Sequence, residues 1–198
     1  MRGLETRDAI IETADRLFYR NGFANSSLAD IADAVAISRG NFYYHFRTKD
    51  TILDAVIERR LAATRTMLAG WAEETDYPKA RIRRFMRILD DNSDDIMLYG
   101  CPVGTLSMEM AKLDHACGSG ARQLFDLFRD WLKAQFAALG RGAEADALAL
   151  HVLMRSQGIA VLFNAYRDPA FVRAEIAAFD AWLDRLDQSP TSFRPNGF

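Results

Sequence analysis

The stretch from Ser38 to Lys49 carries the side chains of this chain that are best suited to binding chemistry. Its basic residues Arg39, Arg47 and Lys49 are accompanied by no acidic residue. Asparagine, tyrosine and histidine side chains lie among them, and the aromatic ones combine a hydrogen-bonding tip with a flat apolar body. Guanidinium and ammonium groups contact phosphates, and arginine can also donate two hydrogen bonds to one guanine. These residue types therefore favour contact with a nucleic acid.

Short helices are predicted to position these side chains. One helix is expected from Arg39 to Phe46, capped by Ser38, with Phe42 and Phe46 facing inward because they lie four residues apart. The other is expected over 28–35, where Ser27 and Asp30 have the spacing of a capping box.

A longer helix is expected before this pair. Thr6 is its predicted N-cap, and Asn21-Gly22 ends it because glycine easily adopts the left-handed conformation found there. Two short helices joined by about three residues and supported by a third predict a helix-turn-helix.

The segment Thr6–Lys49 resembles the DNA-binding domain of the TetR family of bacterial transcriptional regulators. The resemblance rests on Gly22-Phe23, on Asp30-Ile31-Ala32 and on the Tyr-Tyr-His-Phe run followed by Lys49. Ser26 stands where a threonine is commoner, which still leaves a hydroxyl group.

The resemblance implies roles for individual residues. Arg39, Gly40 and Tyr43 are expected to approach base edges in the major groove, and Tyr44, His45 and Lys49 to hold phosphates, joined by Ser26 or Ser27. The predicted DNA-binding residues are Ser26, Ser27, Ser38, Arg39, Gly40, Asn41, Tyr43, Tyr44, His45 and Lys49. The alternatives are a structural histidine at His45 and core packing for Tyr43 and Tyr44.

Composition is that of an ordinary globular protein, with 198 residues, 49% of them hydrophobic and 26% charged. The net charge is −2, and residues 1–50 carry seven basic and seven acidic side chains, so overall charge does not indicate a nucleic-acid partner. We find no signal peptide and no apolar run of the roughly 18 residues that a membrane helix needs. Two cysteines make no disulfide framework, so we expect a cytoplasmic protein.

Nearly every segment has helical periodicity, which predicts an all-α fold. We expect an N-terminal three-helix domain over 1–50, a larger helical domain over 51–187 and a loose tail over 188–198. By resemblance, the larger domain binds a ligand and forms a homodimer through its last two long helices, expected over 143–167 and 169–186. The alternative for these apolar helices is the core of a monomer.

Methionine and aromatic side chains of the larger domain could line an adaptable apolar pocket, although such residues are more often plain core. The candidate ligand-binding residues are Met97, Cys101, Met108, Phe125, Phe128, Trp131 and Phe163. An apolar or aromatic small molecule is the expected effector.

Cysteine, histidine and acidic side chains elsewhere in the chain could be reactive or bind a metal. Cys101 precedes Pro102 at a predicted helix start and could sense electrophiles, or could simply be a small packed residue. Cys101, His115 and Cys117 lack the fourth ligand and the spacing of a zinc site, so no metal or cofactor is predicted. The run Asp90–Asp95 is predicted to be a solvated loop.

Together these features predict a ligand-responsive transcriptional regulator. Members of the family that the chain resembles are most often repressors, so the resemblance implies a repressor that binds a palindromic operator and is released by a small molecule. A DNA-binding protein without an effector is the alternative. No catalytic constellation or phosphate-binding loop suggests an enzyme.

Overall fold

Ten α-helices and one short 3₁₀ helix make up the part of the chain that the computed structural model describes, residues 2–186. This confirms the all-α prediction, and residues 2–186 contain no strand. The loose tail predicted over 188–198 lies outside the described residues. The elements are α1 (Arg2–Asn21), α2 (Leu28–Val35), α3 (Arg39–His45), α4 (Lys49–Glu74), α5 (Pro78–Asp91), α6 (Ser93–Tyr99), α7 (Pro102–Lys112), α8 (Gly118–Ala138), the 3₁₀ helix (Gly142–Glu144), α9 (Ala145–Tyr166) and α10 (Pro169–Arg185).

The chain packs as two compact units. The first contains residues 1–64 and 102–124, and the second contains 65–101 and the residues from 125 onward. In the first unit α1 packs against α2 and α7. In the second, α9 contacts α5, α6 and α10. Thus a segment distant in sequence, 102–124, shares a unit with α1–α3.

Local signals at helix ends explain several boundaries. The predicted capping box is present at α2, where the Ser27 hydroxyl accepts from the Asp30 N–H and the Asp30 carboxylate accepts from the Ser27 N–H at 2.8 Å. The Ser27 hydroxyl and the Ser27 N–H both donate to the Asp30 carboxylate, and these two hydrogen bonds hold the pKa of Asp30 below its ordinary value. At the other end of α2, Ala36 adopts the left-handed conformation with φ 57°. The turn that follows is therefore short, as a helix-turn-helix requires.

Two predicted boundaries are wrong. Helix α1 begins at Arg2 rather than at Thr6, which lies inside the helix. The acidic run 90–95 is not a loop, because α5 continues to Asp91 and α6 begins at Ser93. Asn92 makes the break between them and donates from its side chain to the Ile88 carbonyl at 2.9 Å. Acidic residues in the first turn of α6 interact favourably with the helix dipole, so a new helix begins within the run directly after Asn92.

Helix α9 is the most apolar element. Together with the preceding 3₁₀ helix, residues 142–166 are long and apolar enough to cross a membrane by length and composition alone, and 44% of that apolar window is buried within the protein. A partly buried core helix passes the same test. The exposed part of α9 includes several large apolar side chains.

Candidate DNA-binding interface

Helix α3 presents the predicted binding side chains on its outer surface. Phe42 is buried at 1% exposure, whereas Tyr43 and Tyr44 are 49% and 83% exposed. Arg39 and Asn41 are also exposed, at the helix start that Ser38 caps by accepting from the Asn41 N–H at 3.3 Å. One helix therefore joins a buried anchor to an outward face of arginine, amide and phenol groups.

The aromatic side chains of α3 are held by edge-on contacts. The Tyr43 ring lies 5.8 Å from the Phe42 ring, and the Tyr44 ring lies 5.2 Å from that of half-buried His45. Each pair is close to perpendicular, which is a favoured aromatic geometry. Each exposed phenol ring thus has one aromatic neighbour within the same helix.

Gly40 lies at an exposed position of α3 with open space around its Cα. A Cβ atom built at this position meets no heavy atom within 4 Å, so packing inside the protein does not require a glycine here. Glycine costs a helix about 1 kcal/mol relative to alanine. Close approach of the Gly40 backbone to DNA stays a prediction.

The basic residues differ in what they contact. Arg39 and Arg47 are exposed, and neither makes an ion pair with any of residues 2–186. Lys49 instead donates to the carbonyl oxygens of Phe23 and Ala24 at 2.7 and 3.4 Å, and its ammonium lies 4.2 Å from the centre of the Phe23 ring. The structure therefore gives Lys49 an internal role in addition to the predicted phosphate contact.

The two predicted serines lie at the start of α2. Ser26 is 2% exposed and its hydroxyl donates to the Gly22 carbonyl at 2.8 Å. Ser27 is exposed, but its hydroxyl donates to Asp30 at 2.7 Å. Both hydroxyls set the conformation of the turn before α2, and phosphate contact by either remains a prediction.

Glu109 of α7 also contacts this turn, and sequence reasoning missed it. Its two carboxylate oxygens accept from the N–H groups of Phe23 and Ala24 at 2.9 and 2.8 Å. The partners are separated by more than 80 residues. No motif marks Glu109, so only the folded chain shows the contact.

The candidate ligand-binding residues divide between the units. Met108 is 57% exposed and lies in the first unit. The remaining six lie in the second, where Phe128 packs against Phe85 at 5.4 Å and Trp131 against Trp71 at 5.7 Å between ring centres. These contacts belong to the helical core, and a ligand role for the six remains a prediction. Within residues 2–186, no group of three histidine, cysteine or acidic side chains could hold a metal ion.

The two cysteines are expected to differ in reactivity. Burial and the Asp54 carboxylate, which lies 3.0 Å from the thiol, raise the pKa of Cys117 to about 12. At about pH 8 only about one Cys117 in ten thousand is then a thiolate, the reactive form. Cys101 is only half-buried.

Iodoacetamide should therefore label Cys101 before Cys117, as measured by peptide mass spectrometry, and C101S should remove the early label. Early labelling of Cys117 in native protein would contradict this assignment.

The fold is all-helical, and the second helix of its helix-turn-helix is capped and has an aromatic and basic outer face. These features are typical of DNA-binding regulators. Comparisons with known proteins agree. Residues 10–56 match the family described as "Bacterial regulatory proteins, tetR family". An HTH-type transcriptional regulator from the lacX 3′ region of Lactococcus lactis is 28% identical over 167 residues, covering 82% of this chain and 85% of the relative. The transcriptional repressor NemR of Escherichia coli is 25% identical over 135 residues, covering 65% and 68%.

A solved structure gives the same result for the fold. The crystal structure of a TetR transcriptional regulator from Legionella pneumophila superposes with a TM-score of 0.77 at 23% identity, covering 90% of this chain and 95% of that one. Residues 10–56 are thus similar in sequence to the TetR family of bacterial regulators, and most of the chain shares the fold of a solved TetR-family structure. The Lactococcus and Escherichia relatives are both named as transcriptional regulators.

Proposed function

We propose that this protein is a repressor that binds a palindromic operator as a homodimer and is released by a small molecule. The observation that carries the proposal is the outward face of α3, where Arg39, Tyr43 and Tyr44 are exposed around the buried Phe42. A helix with such a face fits the major groove, where arginine distinguishes guanine from the other bases. The NemR relative is named a repressor, which supports this direction of regulation. We place the protein in the cytoplasm because its partner is DNA.

Binding to duplex DNA at low salt tests the proposal first. The protein should bind a labelled random duplex of about 30 base pairs, long enough for two half-sites, in fluorescence anisotropy. The logarithm of the binding constant should fall linearly with the logarithm of salt concentration, because bound cations are released. No retained duplex at low salt would end the proposal.

The surface that α9 leaves exposed supports the homodimer. Exposed apolar side chains on this helix lie four or seven residues apart, with one adjacent pair, so they share one side of the helix and form a stripe. They are Leu150, Met154, Val161, Leu162 and Tyr166, exposed at 43%, 60%, 59%, 42% and 71%. Exposed Gly158 lies in the same stripe with open space above its Cα. A continuous apolar stripe of this kind marks an interface, and a twofold axis would pair it with its own copy.

Charge placed in the stripe should separate the subunits. M154E and V161E bury a carboxylate in the proposed interface, where it has no partner, so each variant should be monomeric. Light scattering should then give the mass of one 22.3 kDa chain instead of two. L113E is the matched control, because Leu113 is 47% exposed and lies outside α9. Wild-type mass for both stripe variants would exclude this interface.

The small molecule is proposed to bind in the second unit, near Phe125, Phe128 and Trp131. An effector can release DNA only if it binds more tightly to the conformation that does not bind DNA. A library of apolar and aromatic compounds should include some that raise the melting temperature, since ligand at 100 times its Kd stabilises a protein by about 2.7 kcal/mol. If no compound shifts melting or DNA release, the protein is a DNA-binding protein without an effector.

A further inference from the structure

The turn that joins α1 to α2, residues 22–24, is held by side chains from outside the helix-turn-helix pair. One carboxylate, that of Glu109, accepts from two successive N–H groups, those of Phe23 and Ala24, at 2.9 and 2.8 Å. Hydrogen bonds to an ionised group are shorter and stronger than neutral ones. Glu109 thus binds both amides of the turn at once.

Lys49 contacts the peptide bond between Phe23 and Ala24 from the side opposite to Glu109. In a trans peptide the C=O of Phe23 and the N–H of Ala24 point in opposite directions. The Lys49 ammonium donates to that C=O at 2.7 Å, while Glu109 accepts from that N–H at 2.8 Å. A cation and an anion therefore fix one peptide plane from both sides and polarise it in the same sense.

His115 reinforces the arrangement from the same segment as Glu109. Its ring lies 5.1 Å from the Phe23 ring, nearly perpendicular to it, and its Nε2 lies 3.3 Å from the Asp50 carboxylate. Residues 102–124 consequently touch both the turn and the first residues of α4.

Gly22 is adapted to the carboxylate. Its φ of +86° is a conformation that residues with a side chain rarely adopt, and a Cβ here would lie 3.2 Å from the Glu109 Oε1 atom. Gly22 is favoured by its own backbone conformation, and a Cβ atom there would also push the Glu109 carboxylate away by a few tenths of an ångström.

We propose that Glu109 is a positioning residue for DNA binding. The turn it holds leads directly into Ser26 and Ser27, and so sets where α2 begins relative to α1. Glu109 acts without touching DNA, through the peptide between Phe23 and Ala24. The inference rests on the proposed function, because it concerns affinity for an operator.

The test compares E109Q with wild type in the full-length protein. An amide side chain offers only one oxygen acceptor and turns its NH₂ towards a backbone N–H, so exchange at Phe23 and Ala24 should accelerate. Affinity for a duplex enriched by wild-type protein from a random pool should fall by at least about tenfold, which converts to about 1.4 kcal/mol. The salt dependence should keep its slope, because no phosphate contact is removed.

E12Q is the matched control, since among residues 2–186 Glu12 pairs only with Arg59, at 3.5 Å on the surface of the same unit. It should keep wild-type exchange and affinity. If E109Q does not fold, G22A probes the same contact from the other partner and is expected to show the same loss. If E109Q folds and its affinity for the duplex is within twofold of wild type, the proposal is overturned. If E109Q does not fold, the same result for folded G22A overturns it. Amide exchange is measured without DNA, so it tests the Glu109 contact even if the protein binds no operator. A wrong proposed function is thereby distinguished from a wrong assignment of this contact.

Discussion

F42A is expected to destabilise the first unit by about 3–5 kcal/mol, the cost of removing a fully buried phenylalanine. Phe42 is 1% exposed and is the largest buried side chain of α3. Only seven residues long, α3 is too short to be stable alone, so its position depends on this anchor. DNA binding should be lost with it.

Amide exchange over α1–α3 measures this effect directly. The three tryptophans, Trp71, Trp131 and Trp182, all lie in the second unit, so their fluorescence during urea unfolding follows that unit separately. Y44A removes a ring from the same helix, but Tyr44 is 83% exposed, and its loss should change stability by no more than about 0.5 kcal/mol. Equal protection in F42A and Y44A would contradict the assignment of Phe42 as the anchor.

R39A is expected to weaken binding to the operator by about 1–3 kcal/mol, or roughly five- to 150-fold in Kd. Arg39 is exposed in the first turn of α3 and makes no ion pair within residues 2–186, so its removal leaves no unpaired charge behind. Affinity for unrelated DNA should fall much less, because phosphate contacts made by other residues remain.

R39K separates base recognition from charge. Lysine keeps the positive charge but cannot make the two parallel hydrogen bonds of a guanidinium. Competition with operators altered at single positions should therefore show relaxed preference at one guanine in R39K, with the salt dependence unchanged. Full affinity and full preference in R39K would mean that Arg39 contacts only a phosphate.

The helix-turn-helix could be predicted from sequence because its signals are local. The Ser27–Asp30 spacing identifies the start of α2, and the spacing of Phe42 and Phe46 identifies the buried side of α3 and of the residue that caps its end. Both aromatic residues are buried, at 1% and 4% exposure. Hydrogen bonds between residues three apart and side chains four apart depend on helical geometry alone, so they can be inferred from sequence spacing.

The contacts that hold the turn could not be predicted in the same way. Lys49 was interpreted as a phosphate ligand from its charge and position, but its ammonium lies against two carbonyl oxygens contributed by a turn 25 residues earlier. Glu109 lies still farther along the chain and in no motif. Such pairings depend on how helices pack, which the periodicity of one helix does not specify.

The acidic run shows a different limit. Asp90 to Asp95 has the composition of a loop, yet a single residue, Asn92, separates two helices there. Composition measures how polar a segment is, whereas helix continuity depends on backbone hydrogen bonds and on charge near each helix end.

Selection of bound duplexes from a random pool tests the central claim most directly. We expect enrichment of a palindrome whose half-sites lie about 10 base pairs apart or a multiple of that, protected by two chains per duplex. Each half-site should contain a guanine whose replacement affects wild-type protein more than R39K. Failure to enrich any sequence above the starting pool, or enrichment of a site bound by one chain, would contradict the account of this protein as a dimeric operator-binding regulator.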